Sequence, residues 1–501
     1  MTIPDLDLDR TGIVELRQRI VDGAFTARAL TQHCLDRIDS RDAMVDAVIE
    51  LNPEAPAIAE ELDRALGAGR PAGPLHGLPI LIKDNIDTGD RMTTTAGSLV
   101  LEGTHAAHDA PLVARLREAG AVILGKTNLS EWANYRSAAS SSGWSSRGGQ
   151  TRNPYALDRT PGGSSSGSGV AAACGFCVAA VGTETDGSIV SPSAMNGVVG
   201  IKPTVGLVSR SGIVPISHSQ DTAGPIARTV ADAALVLGVM AGTDPRDPAT
   251  AQADSRRARD YTDFLDADGL RGARIGVIRS ITGFSDDVVA LMDDVAAALR
   301  DAGAVIVDPV DVVDADAIRP PEKLVMSTEI KVAMAAYLAS RGAGTPVADL
   351  AGIIAANRAR SAETMPYFPQ DRFEEAEKTK GLEDPAYLEA RETCLRLTRT
   401  EGIDKALVAD KLDALVAPTT CAPWLIDWVN GDNRGGSSAY LAAISGYPSV
   451  TVPAGFLHGL PVGVSFMASA WQEPTLIRLA HAFEQATQVR VPPQYLTTAA
   501  F

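Results

Sequence analysis

Thr160-Pro-Gly-Gly-Ser-Ser-Ser-Gly-Ser-Gly169 runs directly into Val170-Ala-Ala-Ala-Cys174. After a turn, Val178-Ala-Ala-Val181 leads to Gly182-Thr-Glu-Thr-Asp-Gly-Ser188. The alanine-rich piece is a good helix former and the next apolar run reads as a buried strand. A Gly/Ser run just before a helix gathers hydroxyls and free backbone N–H groups in one place. A flexible linker has the same composition, but a linker does not normally sit between two α/β elements. Phosphate binding is a poorer reading, because the run carries no lysine and matches no dinucleotide fingerprint.

Outward from this stretch, helices alternate with short apolar strands. Toward the N-terminus, Pro79-Ile-Leu-Ile-Lys83 reads as a buried strand ending in a lysine. Pro111 opens a helix through Leu112, Val113 and Leu116, and Ala121-Val-Ile-Leu124 follows as a strand. Toward the C-terminus, Gly272–Ile278 and Ala304-Val-Ile-Val307 read as strands flanking a helix capped by Ser285. Further strands are expected at Leu412–Ala417, Ser449-Val-Thr-Val452 and Pro461–Met467, with a closing helix around Leu476–Phe483. This alternation predicts an α/β fold, a large mixed central sheet covered by helices on both faces. The expected organisation is an N-terminal helical segment (1–70) and a core (71–245). A continuation with a largely helical insertion (246–410) and C-terminal strands with a helix (411–501) complete the same single unit.

Gly120-Ala-Val-Ile-Leu-Gly-Lys-Thr127 fits the P-loop spacing, but its four middle residues want a buried strand and a helix precedes it. It reads as strand and turn, not as a nucleotide site. Cys174-Gly-Phe-Cys177 has no second cysteine pair to complete a metal site and reads as two small core residues. None of the seven histidines lies in a setting that marks it as a base, and no Gly-x-Ser-x-Gly elbow is present. A serine nucleophile here needs another base.

Gly77–Asp84, Gly125-Lys-Thr-Asn128, Arg152-Asn-Pro154, Pro161–Ser168, Gly182–Ile189, Gly200–Thr204 and Asp221-Thr-Ala-Gly-Pro225 together resemble the amidase signature family. The resemblance covers about 76–242 and resumes over about 410–487. Phrases such as Gly125–Asn134 and Gly182–Val190 are most similar to the bacterial peptide amidases within it. The resemblance implies a Ser–Ser–Lys triad: Lys83 as base, Ser164 as the bridging serine behind a cis Gly163–Ser164 peptide, and Ser188 as nucleophile.

The residue chemistry suits those roles. A lysine must be neutral to accept a proton, and burial among Ile80, Leu81 and Ile82 lowers its pKa. A hydroxyl such as Ser164 donates and accepts at once. Successive N–H groups of Thr185, Asp186, Gly187 and Ser188 can form an oxyanion hole. The loop 129–146 is expected to line the pocket, with Trp132 and Asn134 as substrate contacts or as ordinary packing.

The sequence departs from the common family pattern at Asp186-Gly-Ser-Ile-Val190, where many members have Gly-Gly-Ser-Ile-Arg. The missing arginine removes an anchor for a substrate carboxylate. Asp186 either orients the loop, meets the substrate or tolerates the turn.

The implied activity is hydrolysis of a terminal carboxamide, of an amidated peptide or an amino-acid amide, through an acyl-enzyme, without metal or cofactor. A glutamine-using amidotransferase component, a broad aliphatic or aryl amidase and a non-catalytic scaffold are the alternatives. Among 501 residues the 45 basic and 62 acidic side chains leave a net charge of −17, which disfavours nucleic acid and anionic membranes as partners. No obligate partner subunit is expected. The first twenty residues carry neither a basic region nor an apolar core, so a cytoplasmic location is expected.

Overall fold

The computed structural model describes residues 3, 6–281, 283–342, 344–433 and 435–500, so part of the stretch read for a leader lies outside it. Eleven strands form one sheet: β1 (Val48–Leu51), β2 (Pro79–Lys83), β3 (Val122–Thr127), β4 (Ala179–Glu184), β5 (Val199–Lys202), β6 (Thr222–Ala227), β7 (Arg274–Ile278), β8 (Val305–Val310), β9 (Ala414–Pro418), β10 (Ser449–Leu457) and β11 (Leu460–Met467). Their spatial order is β1-β3-β2-β4-β6-β5-β10-β11-β9-β7-β8. The sheet is mixed. β3, β2 and β4 run parallel, as do β9, β7 and β8, and the strands between them pair antiparallel.

Every residue of β2, β3, β4, β5, β6, β9 and β11 is buried. Successive side chains point to opposite faces, so both faces of the sheet are covered. The edges are wetter: β1 is partly exposed, and β8 carries Pro309 at the far edge, a position where a missing N–H costs no ladder bond. One large apolar cluster runs from the N-terminal helices (Leu16, Leu30) through β2, β3 and β4 to the C-terminal helix (Leu479, Phe483). A separate cluster joins Trp132 and Tyr135 to Ile330, Met334, Ile353 and Phe373, fixing the helical insertion to the core.

The structure corrects the expectation of helix alone over 1–70: β1 adds to the sheet antiparallel to β3. It is a four-residue edge strand behind two helices, too short to impose a period. The stretch 315–410 is helical as expected, beginning with the long helix Ala315–Ser340. The P-loop look-alike is strand through Thr127, with all six residues of β3 buried. Cys174 and Cys177 are buried free thiols whose burial pushes each up to about 12.

The Gly/Ser run enters the helix Ser166–Ala173, buried along its whole length. A Cβ on Gly167 would stand 2.2 Å from the Ala47 carbonyl oxygen and 2.6 Å from that of Asn128. The glycine therefore lets this helix press onto the backbone beside β1 and β3, which brings the preceding serines to the end of β2.

Candidate active site

Lys83 closes β2 and is fully buried. Its Nζ lies 2.8 Å from Ser164 Oγ, 2.9 Å from Thr183 Oγ1 and 3.1 Å from Ser165 Oγ, with the Thr183 carbonyl oxygen at 3.4 Å. No carboxylate among the described residues is hydrogen-bonded to it. Burial pulls this amine down to about 7, against the weaker opposing fields of Glu184 and Asp221. The peptide between Gly163 and Ser164 is cis.

The hydroxyls around the amine are not equivalent. Ser165 Oγ donates to the Thr183 carbonyl at 3.0 Å and accepts from the Thr183 N–H at 3.2 Å, so toward Lys83 it can only accept. Thr183 Oγ1 also accepts from Asn85 Nδ2 at 2.9 Å. Ser164 Oγ has no other hydrogen-bond partner among the described residues. Its proton and its remaining lone pair are uncommitted.

Ser188 sits in the turn between β4 and the helix Val190–Met195, 8% exposed. Gly187 precedes it at φ +85°, a conformation that glycine adopts without strain. The Ser165 N–H donates to the Ser188 carbonyl at 3.1 Å and joins the two serine segments. No hydrogen bond among the described residues links the Ser188 hydroxyl to Ser164. The N–H groups of Thr185, Asp186, Gly187 and Ser188 donate to no protein acceptor among the described residues, whereas those of Ile189 and Val190 both donate to Glu184 Oε2, at 2.7 and 3.0 Å.

The loop is fastened from outside as well. Thr185 Oγ1 donates to Asp221 at 2.6 Å, and Gln220 Nε2 donates to the Thr185 carbonyl at 3.2 Å. Asp221 is buried, and burial pushes it up to about 6 despite three donors. Arg319, from the insertion helix Ala315–Ser340, donates through Nη1 to Asp186 at 2.5 Å and to Glu322 at 2.9 Å. The guanidinium that meets this loop is therefore taken up by two carboxylates.

Trp132 and Asn134 lie in the segment packed against the insertion. Trp132 is 2% exposed and meets Phe373 edge to face at a 5.9 Å centroid distance. Asn134 is half-buried at φ +69° and donates to Ser142 Oγ at 3.4 Å. Sequence reasoning did not single out Thr183, Ser165, Asn85, Glu184, Gln220 or Arg319. Asp221 stood inside a quoted motif without a role. Arg319 comes from a segment whose only sequence signal is polar helix, and its partner is 133 residues away.

The chain as a whole has relatives in sequence and in fold. A family model described as Amidase matches residues 29–477. A probable amidase of Arabidopsis thaliana is 39% identical over 97% of this chain and 91% of its own. A glutamyl-tRNA(Gln) amidotransferase subunit of Carboxydothermus hydrogenoformans is 35% identical over 95% of this chain and 96% of its own. Among solved structures, native peptide amidase from Stenotrophomonas maltophilia has a TM-score of 0.93 and 51% identity, covering 98% of this chain and 99% of that one. With both sequence and fold matched along nearly its full length, the chain belongs to the amidase signature family and is an amidase.

Proposed function

We propose that this amidase hydrolyses the terminal carboxamide of C-terminally amidated peptides and amino-acid amides, through an acyl-enzyme on Ser188. The observation that carries the chemistry is the Lys83 amine: dry, pulled down to about 7, and 2.8 Å from a Ser164 hydroxyl with no other commitment among the described residues. A neutral amine has two N–H groups and one lone pair. Ser165 Oγ takes one N–H, because its own proton is given to the Thr183 carbonyl. Thr183 Oγ1 takes the other, leaving the lone pair for the Ser164 proton.

In acylation, Ser188 Oγ bonds to the carboxamide carbon. Its proton passes to Ser164 Oγ as the Ser164 proton passes to Lys83 Nζ. The carbonyl π pair moves onto oxygen, and the free N–H groups of the loop Thr185, Asp186, Gly187 and Ser188 receive it. The tetrahedral centre collapses, the C–N bond breaks, and the proton returns from Lys83 through Ser164 to the nitrogen, releasing ammonia. Water then attacks the ester: its proton passes through Ser164 to Lys83 and returns by that path to Ser188 Oγ as the acyl C–O bond breaks, giving the carboxylic acid, which ionises, and free Ser188.

The substrate class is supported by likeness to peptide amidase and by the charge around the loop. Val190 stands where many family members carry an arginine, and Arg319 is already paired, so an amido-acid carboxylate finds no anchor there. The relay is built within one chain and is proposed to work without a partner subunit. The test is an ammonia-release panel on the isolated protein: a dipeptide amide, glutamine, malonamate and an anilide. Turnover of the dipeptide amide is expected to be at least tenfold above the others. Release from glutamine alone, and only after a partner subunit is added, would overturn the reading.

A further inference from the structure

The loop that offers its N–H groups to the reacting oxygen carries a negative side chain in its middle. Asp186 lies between Thr185 and Gly187, and its carboxylate is partly exposed. A carboxylate beside a developing oxyanion opposes catalysis, since like charges raise the energy of the charged state. The insertion helix answers it. Arg319 Nη1 reaches Asp186 at 2.5 Å and Glu322 at 2.9 Å, while the guanidinium lies over the Tyr440 ring with its carbon 5.4 Å from the centroid. Tyr440 is itself fixed, its hydroxyl donating to the Val313 carbonyl at 3.0 Å. Glu322 extends the contact by a second route: Gln220 Nε2 donates both to Glu322, at 3.3 Å, and to the Thr185 carbonyl.

We infer that Arg319 is a positioning residue for this reaction, one that neutralises the Asp186 carboxylate and ties the loop 185–188 to the helical insertion. The inference rests on the reading of that loop as the oxyanion-binding segment. It also assigns work to the insertion, which supplies this cation to the nucleophile's loop. Arg319 does not touch the reacting atoms; it acts through Asp186.

The assignment predicts a particular dependence between two side chains. Arg319→Met leaves the Asp186 charge uncompensated, and kcat on the best amide falls by about 10- to 100-fold with KM changed less than about threefold. Arg319→Lys keeps a cation and loses less. Adding Asp186→Asn to Arg319→Met removes the offending charge and recovers most of the loss, a coupling that a purely structural role for Arg319 does not produce. Thermal unfolding of each variant separates folding defects from slow chemistry.

A second readout does not depend on the substrate class. The rate at which a fluorophosphonate probe labels Ser188 is expected to follow the same order, since its phosphoryl oxygen occupies the same N–H groups. No labelling of the wild type overturns the serine-amidase reading and this inference with it. Normal labelling of the wild type with an unchanged rate in Arg319→Met overturns the inference alone. So does a double variant as slow as Arg319→Met.

Discussion

Lys83 and Lys126 stand on neighbouring parallel strands, both fully buried, and burial pulls both amines below the ordinary lysine value. In the register of β2 and β3, Ile82 faces Lys126 and Lys83 faces Thr127. The one-residue offset sends the two side chains to opposite faces of the sheet. On one face Lys83 meets the serine run and Thr183. On the other, Lys126 donates to the Ile86 carbonyl at 2.6 Å and to Thr94 Oγ1 at 3.0 Å, in the field of Asp84 and Asp87. A carbonyl cannot return a proton, and the acids favour the ammonium form. Lys126 is thereby a structural donor, and Lys83 is an amine among hydroxyls that can exchange protons. Lys202 is a third case: it is pulled down to about 8, its Nζ donates to the Pro203 carbonyl, and Glu184 and Glu473 oppose the shift. Burial alone does not make a base; the partners of the amine decide.

The largest expected effect separates the two lysines directly. Lys83→Met removes the proposed proton acceptor, and kcat is expected to fall by about 10²- to 10⁴-fold while the protein stays folded. Lys126→Met takes the donor away from the Ile86 carbonyl and Thr94 Oγ1 and leaves Asp84 and Asp87 to Arg147 and Arg341, at a cost of about 1–3 kcal/mol in urea unfolding. Its kcat per folded molecule is expected to stay within about threefold of wild type. Steady-state kinetics and denaturation on the same samples measure both. An active Lys83→Met enzyme would end the distinction.

This contrast also marks what the sequence could disclose. Lys83, Ser164 and Ser188 were legible because each lies in a local motif, and β2, β3 and β4 because each carries a compact apolar run. The strands Val199-Gly-Ile-Lys202 and Thr222-Ala-Gly-Pro-Ile-Ala227 carry glycine and proline that lower strand propensity, and only their antiparallel neighbours make them strands. The Lys126 partners were invisible for a different reason. A lysine in a buried strand has no local sign of whether acids or hydroxyls will be folded against it. Arg319 and Gln220 were hidden because their pairing crosses from the insertion to the core, where no periodicity connects them.

A smaller effect is expected in the pH dependence. If Lys83 is the proposed base, only its neutral form accepts a proton, so kcat/KM is expected to rise through about pH 7 and stay level into alkaline solution. Stability follows the same group. Lys83 loses its proton at about 7 when folded but near its ordinary 10.5 when unfolded. Between those values the unfolded chain binds more protons, so stability contributed by this group rises with pH, by roughly 1.4 kcal/mol per unit at most. Urea midpoints at pH 7.5 and 9 are expected to show that rise in the wild type and a smaller one in Lys83→Met. A sharp loss of activity just above pH 8 would contradict a neutral-lysine base.

Because both lysines are shifted in the same direction, a pH–rate profile by itself does not say which of them titrates. Matched removal of one hydroxyl from each does. Thr183→Val deletes an acceptor 2.9 Å from Lys83, which disfavours the ammonium form, so the kinetic midpoint is expected to move down by about half a unit to one unit. Thr94→Val deletes the corresponding acceptor 3.0 Å from Lys126. It is expected to cost about 1 kcal/mol of stability and leave the midpoint in place. If Thr94→Val moved the midpoint and Thr183→Val did not, the titrating amine would be Lys126, and the two faces of the sheet would have to exchange roles.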